Sequence, residues 1–181
     1  MSVVATTLLA VALATTPSAG PHCHGVMVDE HFGSSPESAI TYDPDSVPDG
    51  SRVMVMEHPD KDGTTVIALV LKGLESDRTY GAHVHTEPCG PAPEDAGPHY
   101  QNVKDPVQPS VDPAYANSAN EVWLDFTTNA NGNGGAVSVS DWHFRSGGAH
   151  SVVIHEHATE TAPGHAGMAG ARLACVNVPF A

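Results

Sequence analysis

Asn129-Ala130-Asn131-Gly132-Asn133-Gly134 stands between two short β-type runs, residues 121–128 and 136–140. Asn and Gly tolerate the positive φ angles that tight turns between strands require, so the segment reads as a hairpin turn. Upstream of it, residues 52–57 alternate Val53 and Val55 against Met54 and Met56, and Pro59-Asp60-Lys61-Asp62-Gly63 then turns the chain. Residues 64–71 and 79–85 are two further runs, and residues 39–42 a weaker first strand. Downstream, residues 151–157 and 172–178 complete the set. No stretch shows helical periodicity. Seven or eight short strands joined by Gly/Asn turns predict an all-β fold, a Greek-key antiparallel barrel or sandwich of about eight strands. Two stretches break the rhythm: residues 86–120 are proline-rich, and residues 158–171 are rich in Ala and Gly. Long loops inside compact β domains carry function, and each of these begins beside a histidine.

A chain of 181 residues suffices for one domain with a hydrophobic core. Seven Lys+Arg against 21 Asp+Glu give a formal charge of −14, which argues against nucleic acid and anionic membrane surfaces as partners. Residues 3–14 are apolar but too short to span a bilayer, so membrane insertion is not expected. With the small-x-small pattern Ala12-Leu13-Ala14, residues 1–20 read as a signal peptide, although a basic n-region is lacking. That places the protein outside the cytoplasm, secreted or in a periplasmic or cell-wall space. Residues 21–37 read as a flexible lead-in containing His22-Cys23-His24, and residues 38–181 as the β domain. Nothing in the sequence fixes an oligomeric state.

Twelve histidines are many for this length, and imidazole is a common metal ligand. His83-Val84-His85 lies in a strand-like run, where residues i and i+2 share a face, so both rings can meet one ion while Val84 faces the core. Alone the pair is a weak signal. His99 follows in Ala96-Gly97-Pro98-His99, and His155 ends the apolar run Ser151-Val152-Val153-Ile154. Arg172-Leu173-Ala174-Cys175 closes the series.

In that order, these motifs resemble the Cu/Zn superoxide dismutase family, from about Thr64 to Val178. Gly81-Ala82-His83-Val84-His85 is similar to the family's Gly-x-His-x-His, the segment at His99 to the one carrying its bridging histidine, and Val152-Val153-Ile154-His155 to the strand that brings the last copper ligand. Arg172-Leu173-Ala174-Cys175 matches the family's closing motif. The resemblance implies copper held by His83, His85, His99 and His155, with Arg172 and His99 as catalytic residues and superoxide as substrate. It also implies a disulfide between Cys89 and Cys175, which leaves Cys23 over. Four neutral imidazoles suit both Cu(II) and Cu(I).

The zinc site departs from the family pattern. Between His99 and Glu121 there is no histidine, only Gln101, Asn102, Asp105 and Asp112 among prolines, which does not make a closed tetrahedral site. Copper without zinc is therefore the expectation. A ligating histidine needs an acceptor for its far nitrogen, and Glu121, or failing that Asp125, is the candidate for His99. His22, Cys23 and His24 form a possible accessory metal site, and His157, His165 and Met168 could cover the copper face. His31, His58, His143 and His150 read as structural or surface, and Trp123, Phe126 and Trp142 as core or barrel surface.

The leading functional reading is copper-dependent superoxide dismutation. The alternative is an exported copper-binding or copper-buffering protein on the same fold, without turnover. A cupin-like jelly roll also uses His-x-His, but its usual glutamate after the second histidine is replaced by Pro88 and Cys89. A zinc protease fits worse, since His155-Glu156-His157 lacks the i, i+4 spacing of two histidines on one helix face.

Overall fold

Val53 and Val55 on one strand, and Ile67, Leu69 and Leu71 on the next, are fully buried, whereas the residues between them are half-buried or exposed. That period of two is the mark of strands covering a core on one face. The computed structural model describes residues 25–33 and 38–181. The described residues form nine strands: β1 (Val26–His31), β2 (Ala39–Thr41), β3 (Arg52–Pro59), β4 (Thr65–Lys72), β5 (Thr79–His85), β6 (Phe126–Thr127), β7 (Gly134–Ser140), β8 (Ser151–His155) and β9 (Arg172–Asn177). They form a four-stranded sheet in the order β1-β3-β4-β7 and a five-stranded sheet in the order β2-β9-β8-β5-β6. The ladders are antiparallel throughout. The two sheets pack as a sandwich and do not close into a barrel. One 3₁₀ turn, Pro93–Ala96, is the only helical element among the described residues. None of these is a helix long and apolar enough to cross a membrane.

The main core lies between the sheets and joins Val53, Leu69 and Leu71 to Tyr80, Ala82, Val84, Val152, Ile154 and Val176. Each large side chain fully buried there stabilises the fold by about 1.5–3 kcal/mol. On the opposite face of the five-stranded sheet a smaller cluster, Ile40, Val153 and Cys175 with Ala96, follows one cross-strand row with His83. Loops cover this second face, and the histidines sit under them.

Three sequence expectations are corrected. Val26–His31, within the stretch read as a flexible lead-in, is a strand paired along its whole length with β3. Val26 and Val28 pack on the core, and the exposed Met27 between them and the acidic Asp29 and Glu30 after them hid the pattern. The strand expected over residues 121–128 narrows to Phe126–Thr127; before it the chain makes only single bridges, Gln101 to Glu121 and His83 to Trp123. The Asn/Gly turn does not close a hairpin, because β6 and β7 lie in different sheets. It carries the chain over the edge of the sandwich. Gly132 has φ +70°, and a Cβ there would meet the Leu74 carbonyl oxygen at 2.1 Å, so only glycine fits this corner. The expected signal peptide and His22, Cys23 and His24 lie outside the described residues.

Candidate metal centre

His83 and His85 alternate with Val84 on β5; Val84 enters the main core and both rings point to the loop-covered face. His155 ends β8 opposite Gly81, where a Cβ would strike the His157 carbonyl oxygen at 2.7 Å and the Ala169 side chain at 2.8 Å, and a bulge between Ile154 and His155 brings His155 opposite Arg172 on β9. His99 arrives from the long loop, held beside the end of β5 by a bridge to His85 and by Tyr100 N–H donating to the Val84 carbonyl at 2.8 Å. The four ligand nitrogens lie within 4.8 Å of one another. Metal–imidazole bonds of about 2 Å place ligands up to about 4 Å apart, so the rings need close by less than about 1 Å to share one ion.

Hydrogen bonds fix which nitrogen faces the cluster. His85 Nδ1 lies 2.9 Å from the Gly97 carbonyl, leaving Nε2, which is 3.3 Å from His155 Nε2. His99 Nδ1 lies 2.9 Å from Glu121 Oε2, leaving its Nε2. His83 Nε2 lies 2.7 Å from Thr159 Oγ1, and its Nδ1 is buried with no hydrogen-bond partner. An orphaned buried nitrogen is costly unless something electrophilic takes its lone pair. Burial, aided by the neighbouring histidines and Arg172, holds His83 and His85 well below the usual imidazole range. Burial likewise lowers His155 to about 3. Neutral rings with converging lone pairs fit a soft or borderline cation, and the donor set passes that test.

Glu121 is almost wholly buried and accepts three hydrogen bonds: from His99 Nδ1, from Trp123 Nε1 at 2.8 Å and from Gln101 Nε2 at 2.7 Å. Asp125, the fallback acceptor for His99, binds elsewhere, taking the Thr159 N–H and hydroxyl at 2.7 Å each. Arg172 is half-buried and donates to the Pro93 carbonyl at 2.9 Å and the Gly97 carbonyl at 2.8 Å. Burial lowers its pKa, opposed by the nearby Glu94. Gly97 has φ +70°, and a Cβ there would strike Thr86 and Glu87 at 2.7 Å. Arg172 and His99 line one open cavity of about 640 Å³, which Met168, Gln101 and Ser110 also line. His157 and His165 do not line it. A disulfide joins Cys89 to Cys175, tying the long loop to β9 three residues beyond Arg172. Sequence reasoning missed Thr159, Gln101 and the Trp123 indole N–H as parts of this network, since no spacing rule links them to the histidines.

Two antiparallel sheets with a four-histidine cluster under a disulfide-tied loop define a β-sandwich protein with a metal-type site. Residues 49–178 match the family model "Copper/zinc superoxide dismutase (SODC)", and the chain belongs to that family. Similar solved structures include a double mutant of a SOD-like protein from Bacillus subtilis, 19% identical with TM-score 0.53, covering 73% of this chain and 92% of that one. The clock protein EA4 is 21% identical with TM-score 0.55, covering 87% of this chain and 94% of that one. At such identities these two speak for the fold alone. No curated protein matches the chain in sequence.

Proposed function

We propose that the chain is a copper-dependent superoxide dismutase acting outside the cytoplasm, turning two superoxide ions and two protons into dioxygen and hydrogen peroxide. The observation that carries this reading is the convergence of four imidazole nitrogens, one of them on His99, which lines the same cavity as the half-buried Arg172 guanidinium. His83 Nδ1 and the Nε2 atoms of His85, His99 and His155 would hold copper. When bound, copper supplies a one-electron acceptor and donor through its two oxidation states.

The chain's own residues bind and orient the anion. Arg172 has five N–H donors; two hydrogen bonds to carbonyl oxygens fix the guanidinium, and the remaining donors can receive superoxide. The formal charge of −14 does not forbid an anionic substrate, because charges beyond about 8–10 Å are screened; Glu94 and Glu121 line the cavity alongside Arg172, so attraction of the anion would rest on Arg172 together with the bound copper. Copper alone, without zinc, is supported by the engagement of His99 Nδ1 with Glu121. The Cys89–Cys175 disulfide suits an oxidising compartment, which favours export.

Copper buffering without turnover is the second reading, favoured by Met168, which lines the same cavity and offers a thioether to Cu(I). Protein recovered from the exported fraction should contain copper and little zinc, and should remove superoxide at a rate that His155→Ala abolishes. Copper binding without superoxide removal would establish buffering instead, and absence of copper binding would end both readings.

A further inference from the structure

We propose that Thr159 and Asp125 form a positioning pair that locks the ring of His83 into one tautomer and so presents its Nδ1, unprotonated, to the metal. This rests on the reading that the four-histidine cluster holds copper.

The argument is one of proton counting. Asp125 takes both polar groups of Thr159, the N–H on Oδ2 and the hydroxyl on Oδ1, each at 2.7 Å. A carboxylate only accepts, so the one hydroxyl proton of Thr159 is committed to Asp125. The hydroxyl oxygen can then act toward His83 Nε2, 2.7 Å away, only as an acceptor. His83 must therefore carry its proton on Nε2. Its Nδ1 is left bare, and this atom, like His155 Nδ1, is buried without a hydrogen-bond partner. The Ala82 N–H, 3.4 Å from Asp125 Oδ1, holds the carboxylate from the β5 side. The direct approach of Asp125 to His83 is 4.0 Å, too long for a hydrogen bond, so Thr159 is the necessary link.

Thr159 belongs to the loop between β8 and β9, whose two limbs are bound together by His157 N–H donating to the Ala169 carbonyl and Glu160 N–H to the Met168 carbonyl. The pair thus couples the seating of that loop to the protonation pattern of a ligand ring. A purely structural role for Thr159 would fix the loop and leave the tautomer of His83 untouched.

Long-range ¹H–¹⁵N correlation on the metal-free full chain reads the tautomer directly, and chelator competition with the copper EPR spectrum reads the metal. The wild-type His83 ring is expected to show protonated Nε2 and bare Nδ1. Thr159→Val, close in shape, should give mixed tautomers and weaken copper about 10–100-fold with an altered spectrum. Thr159→Ser should restore both, and Asp125→Asn should act in the same direction as valine. A Thr159→Val protein, folded by circular dichroism, that keeps the single tautomer and the wild-type copper affinity would overturn the proposal. Failure of wild-type protein to bind copper would refute the copper reading instead, and the tautomer measurement would still decide the pair.

Discussion

Replacing Glu121 with glutamine tests whether the acceptor network behind His99 is as constrained as the distances imply. The carboxylate receives Gln101 Nε2 on Oε1, and His99 Nδ1 and Trp123 Nε1 on Oε2. A glutamine must turn its NH₂ toward one side or the other, where a donor already points. Gln101 cannot relieve the conflict by flipping, because its Oε1 receives the Asp105 N–H at 2.9 Å and its Nε2 also donates to Ser110 Oγ at 3.0 Å. At least one buried donor is therefore left unsatisfied, at about 1–3 kcal/mol. The remaining bonds lose the charge-assisted part of their strength, roughly another 1 kcal/mol. Relief of the desolvation of a buried charge acts against both, but three donors converge on this one group, so a net loss of about 2–4 kcal/mol is expected. At about 2–4 °C per kcal/mol for a chain of this size, the midpoint should fall by roughly 5–15 °C. Urea and thermal unfolding of metal-free protein, followed by circular dichroism and by Trp fluorescence, measure this without any contribution from metal. A loss under about 0.5 kcal/mol, the size of an ordinary surface change, would refute the reasoning.

Reducing the Cys89–Cys175 disulfide, or Cys89→Ala with Cys175→Ala, removes a constraint across 86 residues and should cost about 4–5 kcal/mol by chain entropy; a thermal melt with and without reductant checks it. Metal-free protein should lose stability as pH falls below about 6.5, because the folded-state pKa values of His83, His85 and His155 are depressed by burial and the unfolded chain takes up their protons first. For His155 the loss is about 1.4 kcal/mol per pH unit from there down toward its folded value of about 3. Equal urea midpoints at pH 6.5 and 5, above the carboxylate range, would contradict it. Arg172→Gln should slow superoxide removal about tenfold or more and flatten its dependence on ionic strength; pulse radiolysis across a salt series reads both.

Much of the site was legible in the sequence because strand geometry makes it so. His83-Val84-His85 needs only the period of two, and His155 at the end of an apolar run could only cap a buried strand. The Cys89–Cys175 pairing came from the likeness of Arg172-Leu173-Ala174-Cys175 to a family motif, and the two cysteines are indeed joined. What stayed hidden depends on loops. Thr159 reaches His83 across 76 positions through a loop with no periodic pattern, and Gln101 meets Glu121 through a single bridge. The strand at Val26–His31 escaped notice because only alternate residues face the core and the others are Met27, Asp29 and His31. The Asn/Gly turn announced a change of direction correctly, but local sequence does not say which sheet receives the next strand.

The carbonyl oxygen of Gly97 receives both Arg172 Nη2 and His85 Nδ1. One peptide group therefore sets the seat of the cation that would receive the anion and the tilt of a ring that would grip the metal. Neither can be retuned alone: a substitution that shifts the Pro93–Ala96 turn by a fraction of an ångström moves both at once. Engineering substrate attraction in this scaffold would have to begin from charges outside that turn.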